Sequence, residues 1–195
     1  VVTFESGEDS TAVLSGFKLQ NGNGTLVEDL SYGGGIFCNN SYPNLSNLIA
    51  TGISAWAGGG VYCLSSSPSF KNVIIINAGD KGISAGENST VILDKVKILD
   101  SEIAIAGKDL STIKATNITI INTKLGITAF QKKPEFGPSN IKINGIKLKD
   151  VETDYLIEQS SSLIVDGKTI ETTKQVKERM YGIEFGRSST ETKEN

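Results

Sequence analysis

Between Gly82 and Gly126 the chain repeats itself at a fixed step. GISAGENSTVILDKVKILDSEI lies over AIAGKDLSTIKATNITIINTKL without a gap, so Ile83 falls on Ile105, Val91 on Ile113, Leu93 on Ala115, Val96 on Ile118 and Ile98 on Ile120. The step is 22 residues (126 minus 104), and one more step reaches Gly126, Ile127 and Thr128, which open a third line. A period in this range belongs to stacked solenoids, in which each unit buries its apolar face only against its neighbours. Inside each line the apolar residues alternate (Val91, Leu93; then Val96, Ile98), which is the period of a strand and not of a helix. Each line is therefore one turn of a coil built from short strands.

The rest of the chain fits the same coil. Leu14, Phe17 and Leu19 take the places of Leu93, Val96 and Ile98 in a first turn, and a polar, Gly-rich excursion from Asn21 through Asp29 reads as a loop thrown out of it. Two turns then open with similar words, Gly33-Gly34-Gly35-Ile36-Phe37-Cys38 and Gly58-Gly59-Gly60-Val61-Tyr62-Cys63, at a step of 25 (58 minus 33). The turn begun by Gly126 carries an insertion, FQKKPEFGPS, before Ile141, Ile143, Ile146 and Leu148 resume. Tyr155 to Val165 makes a last short turn, closed by the tight-turn pair Asp166-Gly167.

Two columns of turn residues run up this stack. Gly16, Asn47, Asn72, Lys95, Asn117 and Gly145 precede the second strand of successive turns, and Asn21, Gly52, Asn77, Asp100, Asn122 and Asp150 follow it. Gly and Asn accept left-handed backbone angles, so each column predicts one recurring bend, and stacked Asn side chains can hydrogen-bond along the coil. The alternative use of such edges is a metal or glycan ladder.

Strands stacked in register, with every connection running the same way round, define an all-β, right-handed parallel β-helix. The expected organisation is a β-helix over residues 1–170 and a capping segment with a flexible tail over 171–195. Val176 and Met180, four apart among Lys and Glu, suit a short amphipathic helix over the last turn, and residues beyond Gly186 are polar enough to stay disordered. The opening VVTFESG is strand-like rather than a signal peptide. It reads as a coil entered partway through, a processed product or a piece of something longer, with an adjoining domain or chain expected to cover that end.

Composition excludes several function classes. The net charge is -3 and no stretch concentrates Lys or Arg, which argues against a nucleic-acid partner. No apolar run approaches the roughly 20 residues of a transmembrane helix. Histidine is absent, removing the commonest general base and zinc ligand. The two cysteines, Cys38 and Cys63, occupy equivalent places in adjacent turns and read as a buried stack of small apolar side chains, with a disulfide as the alternative. Phe37 and Tyr62, one residue earlier, are expected to face outward and stack on each other.

The run GISAGENST, then IAIAGKDLS, then GITAFQKKPEFGPSNIKI resembles the β-helix region on the C-terminal side of many spore-coat-H-type (CotH) kinase-like bacterial surface proteins, and VKERMYGIEFGRSS is similar to their closing words. The GGGIFC and GGGVYC turns resemble those of the wider pectin-lyase-like superfamily. The resemblance implies an exported bacterial protein, extracellular or at the cell surface. It carries no kinase over, because no Gly-rich phosphate loop followed by a Lys and a metal-binding Asp is present. Enzymes of the pectin-lyase-like group act on acidic polysaccharides, the lyases with a Ca²⁺ site and a basic residue, the hydrolases with Asp pairs.

The stacking register brings one set of candidate residues together. Glu87, Asp109, Gln131 and Gln159 fall in one column after the first strand, Lys108, Phe130 and Glu158 fall in the next, and Lys132, Lys133 and Glu135 lie in the inserted loop nearby. Lysine, paired carboxylates and an aromatic ring make a sugar-binding face, and they are equally what a solvated face looks like. No catalytic residue is nominated. Calcium would need about 6 to 8 converging oxygen ligands, and no cofactor is otherwise called for. The leading expectation is a non-catalytic module that binds a glycan or partner protein at the cell surface through the Lys108–Phe130–Glu158 face. The alternatives are a lyase or hydrolase of acidic polysaccharide and a structural subunit of a surface or secretion assembly.

Overall fold

A computed structural model of the chain describes residues 1–182 together with Glu184 and Phe185. The chain is a parallel β-solenoid of about 5 turns. Its register is the one the repeat dictates: Ile83 pairs with Ile105, Val91 with Ile113 and Leu93 with Ala115. Earlier turns pair Ile36 with Val61 and Cys38 with Cys63, the step of 25. The insertion falls between the long strands Thr112–Phe130 and Asn140–Ile157 and lengthens that step to 28, as in Ile113 against Ile141 (141 minus 113).

Alternation decides which side chains fill the coil. Along Thr90–Lys108 and Thr112–Phe130 burial alternates for the first half of the strand, and Val91, Leu93, Val96 and Ile98 stack beneath Ile113, Ala115, Ile118 and Ile120 in one continuous core. Cys38 and Cys63 are part of that core, fully buried and both free thiols, so the apolar stack holds and the disulfide does not form. Burial raises the Cys38 thiol well above its ordinary range, with a hydrogen bond to Cys63 as the larger cause. A second inner column, absent from the sequence reading, is made of serines. Ser41, Ser66, Ser89, Ser111, Ser139 and Ser161 are all buried at one corner, and the Ser41, Ser66 and Ser139 amides each donate at 3.1 Å to the hydroxyl one turn on.

The two predicted bends are both present. Asn47, Asn72, Lys95, Asn117 and Gly145 have φ between 52° and 76°, and Asn21, Gly52, Asn77, Asp100, Asn122 and Asp150 have φ between 53° and 58°. Asn72 donates to Asn47 Oδ1 at 2.8 Å and Asn122 to Asp100 Oδ1 at 2.7 Å, so parts of the columns are hydrogen-bonded ladders.

Four expectations need correction. The excursion after Asn21 is not irregular: Thr25–Val27 and Leu30–Tyr32 form an antiparallel hairpin, because Glu28 and Asp29 both take left-handed angles and close a two-residue turn. Phe37 and Tyr62 do lie outside the central core and beside each other, 6.0 Å between centroids, but Tyr32 at the end of the hairpin covers them, with centroids 5.9 and 5.2 Å away, so the pair is buried instead of exposed. The helix Val176–Tyr181 does bury Val176 and Met180 as its spacing requires. It does not sit over the last turn, however: it lies along the flank of the coil against Ile103, Leu125, Phe130 and Leu156. Phe130, expected to be an accessible binding ring, is consequently 0% exposed. The last turn is finished instead by Ser162–Val165 pairing antiparallel with Lys168–Thr169. The expected polar tail beyond Gly186 lies outside the described residues.

Candidate functional site

The helix on the flank leaves a cleft between itself and the earlier turns. Its volume is about 290 Å³. Trp56 and Tyr62 come from turns near the hairpin, Met180, Tyr181 and Phe185 from the C-terminal segment, and the charged lining is Asp80, Lys81, Lys108 and Lys132. Three lysines against one carboxylate make this a cationic recess on a chain whose net charge is -3.

Lys108 is the unusual member. It ends the strand Thr90–Lys108 and is only 5% exposed. Its stem lies over Gly86, where an added Cβ would sit in ordinary contact 3.5 Å from Lys108 Cε. Nζ stands over the Tyr62 ring at 5.1 Å from the centroid, and it makes no hydrogen bond or ion pair with any described residue. Burial of the charge, reinforced by repulsion from Lys81 and Lys132, brings its pKa down to about 7, with Asp80 and Asp109 opposing more weakly. A buried amine with no anion beside it among the described residues is destabilising, and strongly shifted groups of this kind gather at functional sites. Ser84, on the same face of the neighbouring strand and paired in register with Tyr62, is also buried with its hydroxyl unbonded.

The other charges are partly committed. Asp80 accepts from Lys81 Nζ at 2.6 Å and from the Gly58 amide at 3.1 Å. Lys132 reaches between two rings, 5.1 Å from the Tyr181 centroid and 5.9 Å from that of Trp56, and desolvation lowers its pKa as well. Trp56 is 41% exposed and is the single tryptophan of the chain.

The residues nominated from the sequence divide into three groups. Lys108 and Lys132 line the cleft. Asp109, Gln131 and Glu158 brace the insertion instead of facing a ligand. Asp109 Oδ1 accepts from the Lys132 and Lys133 amides at 2.7 Å each, Glu158 Oε2 accepts from the Gln131 amide at 2.7 Å, and the Gln131 side chain donates to backbone carbonyls of the loop, including that of Phe136. Phe130 is core, Lys133 is ion-paired with Glu87, and Glu135 is exposed at the loop tip. Trp56, Tyr62, Asp80, Lys81 and Tyr181 were missed as site residues. Tyr62 and Lys81 stand on strands paired in succession beside the one that ends in Lys108, but neither recurs in the repeat to mark it, and Trp56 and Tyr181 lie outside the paired strands altogether. No three His, Cys, Asp or Glu side chains converge to hold a metal ion among the described residues. No helix among the described residues is long and apolar enough to cross a membrane.

No family model matches the chain, and neither the curated proteins nor the solved structures contain a match.

Proposed function

We propose that the chain is a non-catalytic β-helix binding module that receives the end unit of an acidic glycan in the cleft beside Lys108. The observation that carries this is a buried amine with no anionic partner among the described residues, in an aromatic-walled recess that holds two further lysines. A uronic acid supplies what the cleft lacks: a carboxylate for Lys108 and Lys132, and a ring face for Trp56 or Tyr181. At about 290 Å³ the recess is at the small end of ligand pockets, which favours one terminal sugar over a run of polymer. The setting we assign is the surface of a bacterium, on an exported protein, and it rests on the family resemblance.

Trp56 gives the test a direct reporter. Oligogalacturonate should change its fluorescence saturably, and glucose oligomers of equal length should not. Affinity should weaken as the pH rises through about 7, because the amine that pairs with the carboxylate loses its proton there. Equal responses to charged and neutral sugars, or none to either, would remove the cleft as a glycan site.

A lyase is the second reading, favoured by the same low-pKa amine. A neutral Lys108 could take the proton from C5 of a uronate whose carboxylate is held by Lys132. Release of unsaturated uronate from polygalacturonate or alginate, with or without Ca²⁺, would establish it in place of the module.

A further inference from the structure

The chemistry of Lys108 goes beyond pairing with an anion. We infer that Lys108 is a carbonyl-condensing lysine that forms a Schiff base with a small anionic aldehyde or 2-oxo acid, its carboxylate held by Lys132. This rests on the anion-binding part of the glycan reading and on nothing specific to sugars.

Three features of the cleft support it. First, a primary amine attacks a carbonyl only as the free base, and Lys108 is held in a place that disfavours its charge. It is 5% exposed and has two like charges, Lys81 and Lys132, acting on it, which together outweigh the attraction of the Tyr62 ring for the cation. The opposing charges, Asp80 and Asp109, are engaged elsewhere, Asp80 by Lys81 and the Gly58 amide, Asp109 by the Lys132 and Lys133 amides. Secondly, no hydrogen bond to a described residue ties up the nitrogen lone pair. The other amines with a short ion-pair contact, Lys81, Lys124 and Lys133, are held by Asp80, Glu102 and Glu87. Thirdly, Lys132 brings a second cation to the same recess, so the acid group of the reactant can be held while its carbonyl meets Lys108.

The step balances without a redox partner. The Lys108 nitrogen adds its lone pair to the carbonyl carbon, and the carbonyl oxygen takes up a proton to give a carbinolamine. That hydroxyl then leaves as water after a second protonation, and nitrogen loses its remaining proton as the C=N bond forms. One water is released for each carbonyl captured.

The probe is glyoxylate with sodium cyanoborohydride, applied to the full chain near neutral pH. The reagent adds hydride to the imine carbon and fixes the adduct as a secondary amine, which peptide mass mapping locates. The Lys108 peptide should be labelled at least several-fold faster than any other lysine peptide, and the α-amine of Val1 is read separately in its own peptide. Lys132→Ala keeps the amine but removes one like charge acting on it, so labelling by uncharged glycolaldehyde should fall modestly while labelling by glyoxylate falls several-fold further. An equal fall for the two probes would overturn the assigned role of Lys132. Uniform labelling across the exposed lysines would overturn the proposal. A Trp56 fluorescence response to glyoxylate without a Lys108 adduct would also overturn it, yet leave anion binding in the cleft intact. Absence of both signals would remove this proposal and the glycan reading together.

Discussion

Lys108 is the residue on which structure and function pull in opposite directions. Its amine is charged with a pKa near 10.4 in the unfolded chain, and at about 7 in the fold. Between those values the unfolded state binds a proton that the folded state does not, so this residue makes stability rise with pH across that window. Below about pH 7 both states carry the proton and the whole penalty of the buried charge is present. Lys108→Met, which keeps the stem and removes the charge, should therefore be more stable than the wild type at pH 6. The expected gain is about 1–4 kcal/mol, reduced from the full shift by relaxation and water entry. Urea denaturation at pH 6, 8 and 10 should show this gain shrinking as the pH rises. A variant less stable than the wild type at pH 6 would mean that the amine has a partner in the fold. Loss of ligand binding alongside a gain of stability would be the signature of a residue kept for function.

The insertion and the flanking helix are the elements that turn a plain coil into one with a cleft. Asp109 holds the start of the insertion through two amides, and Lys132, which lines the cleft, is one of the residues so held. Asp109→Ala removes two hydrogen bonds to a charged acceptor at a position with φ of 50°, so about 2–4 kcal/mol should be lost. Exchange of the amides of residues 131–138 should accelerate more than that of the core strands. Phe130 joins the helix to the coil in a cluster with Leu125, Leu156, Val176 and Met180. Phe130→Ala should cost about 3–5 kcal/mol and loosen the helix, measured by thermal unfolding and by faster proteolysis near Met180. A stable Phe130→Ala protein with only weakened ligand retention would instead restore the accessible ring that the repeat register suggested. The register correctly stacks Lys108 beside Phe130 in neighbouring turns. It says nothing about a helix some 50 residues later (180 minus 130) lying on top of them, because that contact depends on the path of the chain outside the repeat.

Across the whole molecule, legibility followed periodicity. Strand pairing, the apolar columns and the left-handed bends recur every turn, so each residue such as Asn72 or Ile98 is supported by several equivalents. The cleft has no such redundancy: Tyr62, Lys81 and Lys108 sit on strands paired in succession but each occurs once in its role, and Trp56, Lys132 and Tyr181 join them from outside the paired strands. The same one-dimensional architecture sets how the protein opens. Strands in the middle of the stack, such as Thr112–Phe130, are paired on both sides, whereas Val2–Phe4 and Val13–Ser15 are paired on one. Hydrogen exchange should accordingly be slowest between residues 91 and 125 and fastest in those first strands. Uniform protection along the coil would show that it opens as a single unit.

The measurement that bears most directly on the account is a titration of Lys108 itself. Lysine labelled with ¹³C at Cε reports protonation by its chemical shift, and the Lys108→Met variant assigns the resonance. The midpoint should lie at about 7 in the free protein and move upward when oligogalacturonate is added. A midpoint near 10.4, the value of a solvated lysine, would contradict it, because the amine would then be neither desolvated nor waiting for an anion.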